Sequence, residues 1–396
     1  MGKNGELKNI LQEGRFGAIS RVDDLVEIAI EQRVSDVHLD PVGPRARIRF
    51  RIDGCLQDVG SITSGTYASW LSRLKIVCGM DIGERRLPQD GSLEMENKSV
   101  DLRVATLPTT LGEKVAIRIL RKDQTLLSID GLGFSDSNKK LYRKLYNAPN
   151  GMVLFTGPTG SGKTTSLYAT LNELNGRSLN IITIEDPVEY SLPGTNQVAV
   201  NMKSGLSFAI GLRAIVRQDP DVIMVGEIRD EETASIALQA ALTGHLVFST
   251  LHTNTAIGAV SRLLHMGIPP YLLSAALRGV VGQRLVRKIC PHCAKSRRAT
   301  ATDKRLLGCK MDEELYLQVG KGCDYCNGTG YYGRIALQEV FVLSGDIVRS
   351  IADGKSEIDL FRQAVALGFK SLQDDGISKV LSGQTTVSEL LREGVI

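Results

Sequence analysis

The chain of 396 residues contains no run of 18 apolar residues, so no segment reads as a membrane-spanning helix. Its first residues, Met1-Gly2-Lys3-Asn4-Gly5-Glu6, hold no apolar stretch of the kind an export signal needs, and Glu6 breaks the myristoylation pattern. Excess charge of one sign is small. A net charge of +4 gives no whole-chain argument for nucleic acid as a partner. Tryptophan occurs once, as Trp70, inside a helical pattern from about Thr66 to Cys78, where a core position is expected. No internal repeat or low-complexity tract interrupts the chain. Cysteines number seven, an odd count, and four of them fall into two CxxC pairs. Without an export signal, that usage favours a reducing compartment and a metal site over disulfides.

Among what is present, Gly157-Pro158-Thr159-Gly160-Ser161-Gly162-Lys163-Thr164 fits G-x-x-x-x-G-K-[ST] at every fixed position. The apolar run Met152–Phe155 precedes it as a buried strand, and Thr165 opens the rest of a helix behind it. Glycines let backbone N–H groups turn inward around an anion, and the helix N-terminus adds positive partial charge. Lys163 suits the β- and γ-phosphates of ATP, and the Thr164 hydroxyl suits Mg²⁺. Three further clusters end apolar runs. These are Thr183-Ile184-Glu185-Asp186-Pro187-Val188-Glu189, Val222-Ile223-Met224-Val225-Gly226-Glu227 and Phe248-Ser249-Thr250-Leu251-His252. In an open α/β sheet such clusters meet at the carboxyl ends of the strands. Glu227 suits the metal side, Glu189 or Glu185 the attacking water, and His252 a sensor of the γ-phosphate. Asp186 joins them in the nucleotide set. His245 reads as a helix-end cap. Arg213 and Arg217, four apart on one helix face, suit either phosphates or the acids of Asp219-Pro220-Asp221.

The length calls for two or three domains. Residues 1–20 read as a linker and 21–123 as an α+β domain. Residues 124–135 form a second linker, and 136–284 a domain of alternating strands and helices around a mostly parallel sheet. Residues 285–335 carry the two CxxC pairs, and 336–396 are helical in pattern. Within the first domain Arg45-Ala46-Arg47-Ile48-Arg49-Phe50-Arg51-Ile52 alternates strictly, which as a strand puts four arginines on one face. Mutual repulsion there leaves two readings open: a solvated face, or one that meets an acidic or phosphate-bearing partner. Cys290-Pro291-His292-Cys293 and Cys323-Asp324-Tyr325-Cys326, with 29 residues between the pairs, suit a structural Zn²⁺ held by four thiolates.

These motifs resemble the secretion-type ATPases of type II secretion and type IV pilus assembly, the GspE/PilB group. Ile184–Glu189 is similar to that family's Asp box, Gly226-Glu227-Ile228-Arg229-Asp230 to its atypical Walker B, and Thr243–Asn254 to its His box. Arg49–Gly54, Arg85–Gly91 and Asp101–Val104 are similar to its second N-terminal domain. The resemblance runs from about residue 21 to the C-terminus. It implies a RecA-like ATPase domain preceded by an α+β, PAS-like domain, with a zinc-binding subdomain and a helical tail. It implies a cytoplasmic hexamer that hydrolyses Mg·ATP at the inner face of the cytoplasmic membrane. There it would work with a platform protein and associated assembly proteins to assemble pilins or pseudopilins. It gives Glu189 the general-base role and brings Arg103 and Arg118 to the nucleotide at the interface between protomers. The resemblance also implies, through the cysteine quartet, the assembly and secretion branch of that family. The family's usual additional N-terminal domain is expected to be missing, and Thr255 stands where an Asp often follows the His-box Asn. A nucleic-acid-dependent motor and a nucleotide-gated scaffold are the competing classes. The small net charge argues against the first, and the intact Lys163, Glu189 and Glu227 set against the second.

Overall fold

The computed structural model describes residues 18–95, 100–121 and 128–396. The linker expected at residues 1–20 lies almost wholly outside the described residues, and part of the one expected at 124–135 does too. The fold is α/β, and the chain divides into two compact units, Met1–Asp123 and Gln124–Ile396.

The first unit runs α1 (Ala18–Glu31), β1 (Val34–Val42), β2 (Arg45–Ile52), β3 (Cys55–Thr63), α2 (Ser64–Val77), β4 (Gln89–Met95), β5 (Val100–Thr109) and β6 (Gly112–Arg121). Its strands form one antiparallel sheet in the order β3-β2-β1-β6-β5-β4. Period-2 alternation decides its faces. On β2, Ala46, Ile48 and Phe50 are fully buried, in one core with Val22 and Leu25 of α1 and Tyr67, Trp70 and Leu74 of α2.

The second unit begins with a short 3₁₀ turn at Ile129–Leu132 and α3 (Asp136–Tyr146). It continues through β7 (Gly151–Thr156), α4 (Lys163–Asn175), β8 (Ile181–Glu185), β9 (Asn196–Ala199), α5 (Phe208–Ile215), β10 (Val222–Val225), α6 (Glu231–Leu242) and β11 (Leu246–Leu251). Then come α7 (Ala256–His265), α8 (Pro270–Ala276), β12 (Leu277–Ile289), β13 (Ala294–Arg298), α9 (Ala301–Leu306), β14 (Tyr316–Gly320) and β15 (Tyr331–Val342). Four helices close it: α10 (Gly345–Ala352), α11 (Glu357–Ala366), α12 (Leu372–Leu381) and α13 (Val387–Arg392). The seven-stranded sheet has the order β15-β12-β7-β11-β10-β8-β9, parallel except for the β12–β15 pair.

Helices cover both faces of that sheet, which is why its central strands are buried at every position and mostly apolar. Val153, Phe155, Met224 and Phe248 face Tyr142 and Tyr146 of α3 and Leu167, Tyr168 and Leu171 of α4. Met152, Leu154, Ile223 and Val225 face Leu212 of α5, Leu238 of α6 and Val260 of α7. The divisions expected at 284/285 and 335/336 fall inside β12 and β15. These strands pair from Gly279↔Val342 to Ile289↔Tyr331 and belong to the main sheet, so the thiol-bearing segment is an insertion between them. Within it β13 and β14 form a two-stranded ribbon.

Candidate functional site

The phosphate-type loop joins β7 to α4. Gly157, Gly160 and Gly162 have φ of 148°, 79° and 86°, a region that side chains disfavour. Close packing excludes a side chain at two of them. A Cβ on Gly157 would lie 2.3 Å from the Gln283 carbonyl oxygen, and one on Gly162 would lie 2.9 Å from the Gln283 amide nitrogen. Lys163, nearly buried at the start of α4, donates to the carbonyls of Gly157 (2.8 Å) and Pro158 (3.1 Å). Burial draws its pKa down to about 8, and Arg284 pushes the same way while Glu227 resists. Thr164 is exposed and Thr165 half-buried. Pro158, Thr159 and Ser161 complete the loop. The Ser161 hydroxyl is buried without a hydrogen-bond partner among the described residues.

The carboxyl ends of β8, β10 and β11 bring the acidic clusters into register beside β7. Glu185 is fully enclosed. Its carboxylate accepts from the Thr183 hydroxyl (2.6 Å), the Gln197 amide (3.1 Å) and the Tyr168 hydroxyl. Tyr168 Oη also accepts from the Glu189 backbone N–H at 3.3 Å, so one α4 side chain holds both ends of this cluster. Glu189 itself is half-exposed. Glu227 follows β10 and accepts from Arg229 Nη2 (2.5 Å), with His252 Nε2 at 3.4 Å. Burial resists its ionisation, but Arg229 and His252 outweigh burial and hold the carboxyl below its ordinary range. Arg229 also lies 3.8 Å from Asp186, which ties the second cluster to the first. The third is anchored by Thr250 donating to the Gly226 carbonyl (2.8 Å) and by Thr156 Oγ1 accepting from the Thr253 N–H (2.9 Å). His245 Nδ1 bonds the Ala240 carbonyl at 2.8 Å, at the end of α6.

Arg213 pairs with Glu232 of α6 at 2.6 Å rather than with Asp219 or Asp221, and Arg217 is exposed. In the first unit Arg103 and Arg118 stand directly opposite each other on β5 and β6. The arginine face of β2 meets carboxylates from its own sheet. Asp40 lies 2.6 Å from Arg49 and 2.9 Å from Lys114, and Asp58 lies 3.6 Å from Arg47. Asp36 is shared by Arg118 (3.2 Å) and Arg51 (3.7 Å). The repulsion expected from β2 alone is therefore offset within the sheet.

Two residues on β12 that the motifs did not single out complete the loop's surroundings. The Gln283 amide donates to the Ser161 carbonyl (2.7 Å) and accepts from the Ser166 hydroxyl (2.9 Å). Arg284, the next residue, donates to Asn254 Oδ1 (3.1 Å) in the third cluster. Only strand pairing brings these residues to the loop, and no local spacing marks them.

The thiols of Cys290, Cys293, Cys323 and Cys326 lie within 4.8 Å of one another and could hold a metal ion. Burial pushes the Cys290 thiol up to about 12. Burial opposes ionisation of Cys326 as well, but the Cys323 and Gly330 N–H groups draw it down to about 6.

The profile of the family described as type II/IV secretion system protein matches residues 12–392. The type II secretion system protein E of Pseudomonas aeruginosa is 47% identical over 383 residues, 96% of this chain and 76% of that one. The type IV pilus assembly ATPase PilB of Thermus thermophilus is 43% identical over 98% of this chain and 44% of its own length. A crystal structure of the pilus retraction motor PilT with bound ADP superposes with a TM-score of 0.65 at 27% identity, covering 93% of this chain and 96% of that one.

Proposed function

Because the chain belongs to the type II/IV secretion system protein family, we propose that it is a motor ATPase that drives type II secretion or type IV pilus assembly. It is an ATP hydrolase. The observation that carries this is the loop itself, with a lysine seated on its own backbone carbonyls and an ionised Glu227 at the neighbouring strand end. In our reading Lys163 exchanges those carbonyls for the β- and γ-phosphates. Gly157 through Thr165 cradle the phosphates. Thr164 and Glu227 would hold Mg²⁺, which would neutralise phosphate charge. Glu189 takes the proton from the water that attacks the γ-phosphorus, and the bond to the β-phosphate oxygen breaks to give ADP and phosphate. His252, within reach of Glu227, reports the γ-phosphate. Glu185, enclosed by three donors, orients the strand end that carries Asp186 and Glu189.

We assign Arg103 and Arg118 to the nucleotide of a neighbouring protomer in a hexameric ring. We read the first unit as the PAS-like domain, an assignment its antiparallel order supports. We assign zinc to the quartet. A tetrahedral Zn²⁺ with Zn–S bonds of about 2.3 Å sets its sulfurs about 3.8 Å apart. The Cys290–Cys323, Cys293–Cys326 and Cys323–Cys326 sulfur separations are 3.9, 3.8 and 3.7 Å. No helix among the described residues is long and apolar enough to cross a membrane. We propose a cytoplasmic protein held to the inner membrane by a platform partner. Lys163→Ala should abolish ATPase activity. Turnover near wild type at saturating Mg·ATP would overturn the assignment.

A further inference from the structure

From the buried polar groups around β12, we infer that Gln283 is a positioning residue for the phosphate loop and the first member of a relay to helix α12. The inference rests on the ATPase reading above. Gln283 is almost fully buried and grips the loop at two points, the Ser161 carbonyl and the Ser166 hydroxyl. Its strand also forms the wall against which Gly157 and Gly162 pack. Directly across the ladder stands Gln338, also buried, whose amide nitrogen lies 3.4 Å from Gln283 Oε1 and 3.5 Å from the Leu132 carbonyl.

From Gln338 the chain of contacts continues through its own backbone. The Gln338 N–H donates to Asp375 Oδ2 of α12 at 2.9 Å, and its carbonyl accepts from Asn138 of α3 at 2.7 Å. Asp375 in turn holds Lys379 at 2.6 Å, and Lys379 returns a bond of 2.6 Å to the Ala336 carbonyl of β15. All these groups are buried, where a polar group is retained only if its partners stay in place. One acceptor, Gln338 Oε1, has no hydrogen-bond partner among the described residues. That leaves the network one bond short. A core built for stability alone would use apolar side chains along this line, at lower desolvation cost.

Two substitutions in the full chain separate the two grips. Gln283→Met fills the volume and removes both. Gln283→Glu keeps an acceptor for Ser166 but, ionised, turns a second acceptor on the Ser161 carbonyl and sets a negative charge behind the phosphate loop. We expect Gln283→Met to raise the KM for Mg·ATP about 10-fold, the loss of roughly two buried hydrogen bonds, and Gln283→Glu, which adds a buried negative charge, to raise it at least as much. Amide hydrogen exchange of residues 158–163 in the nucleotide-free protein should speed up in both. In the wild type Mg·ADP should slow exchange in residues 372–381, and Gln283→Met should remove that response while leaving a cooperative melting transition. Folded Gln283→Met with wild-type KM, wild-type exchange at 158–163 and an intact response at 372–381 would overturn the inference. If Gln283→Met does not fold, Ser166→Ala and Gln338→Met carry the test. Both should raise KM about 3-fold, and no change in either would overturn it equally. Should the wild type bind no nucleotide, the ATPase reading fails, while exchange at 158–163 in the nucleotide-free protein still decides the role of Gln283.

Discussion

A lysine resting on two carbonyls is poorly solvated, and its depressed pKa has a consequence for binding. Phosphates favour the charged form, so above about pH 8 nucleotide binding must carry a proton onto Lys163. Calorimetry at pH 9 in buffers of different ionisation enthalpy should register that uptake, and Lys163→Arg should abolish it. The same shift makes the nucleotide-free fold more stable as pH rises from about 8 toward the ordinary lysine value, since the unfolded chain then binds more protons than the folded one. At Glu189 the expected outcome of Glu189→Gln is nucleotide affinity within a few-fold of wild type and turnover lower by about 10²-fold or more. Inactivity of Glu185→Gln with normal Glu189→Gln turnover would reverse the two roles. Lys163 was legible from the glycine motif that precedes it, and Glu227 and His252 because each follows an apolar run. Gln283 was not, because a buried amide acquires its role only from the strand that lands beside it.

Elements buried on both faces announced themselves. β7, β8, β10 and β11 are short and mostly apolar, with Thr156, Thr183, Glu185, Ser249 and Thr250 as polar exceptions, and burial at every position explains why. β12 stayed hidden because Gly279, Gly282, Gln283 and Arg284 interrupt its apolar pattern, although all four lie in the ladder with β15. The paired face of β2 was equally unreadable. Its arginines sit on one strand, while Asp36 and Asp40 that neutralise them sit on another. At the far end of β12, Arg287 reaches buried Glu389 of α13 (2.6 Å), which Arg392 also holds (2.7 Å). Those arginines outweigh burial and keep the Glu389 carboxyl below its ordinary range, so its contribution to stability is lost as pH falls through that lowered value. Arg287→Met should cost about 1.5–3 kcal/mol in chemical denaturation at neutral pH, the range for a lost hydrogen bond to a charged group, because Arg392 still holds the Glu389 carboxylate. The quartet makes a separate claim. Metal analysis should find one Zn²⁺ per chain, and chelation should loosen the β13–β14 ribbon before it alters nucleotide binding, since four thiolates leave no open position.

For the whole molecule, assembly is the decisive property. If arginines of one protomer serve the nucleotide of the next, activity per chain should rise with protein concentration, and a head-to-tail ring would close the set. Mixing inactive Lys163→Ala chains with inactive Arg118→Ala chains should partly restore turnover. No recovery in mixed oligomers confirmed by mass would place the arginines within their own chain. Because Asp36 also binds Arg118, Asp36→Asn serves as a companion readout of how firmly that guanidinium is held.

The wall behind the phosphate loop also bears on biosynthesis. The amide that grips Ser161 lies 122 positions further along the chain, and its partner strand ends only at Val342. A ribosome therefore releases the nucleotide-binding loop long before the strands that brace it. Nascent chains stopped between β11 and β12 would carry every recognisable ATPase motif and still lack the braced loop, so their retention of nucleotide would lag far behind translation of the motif itself.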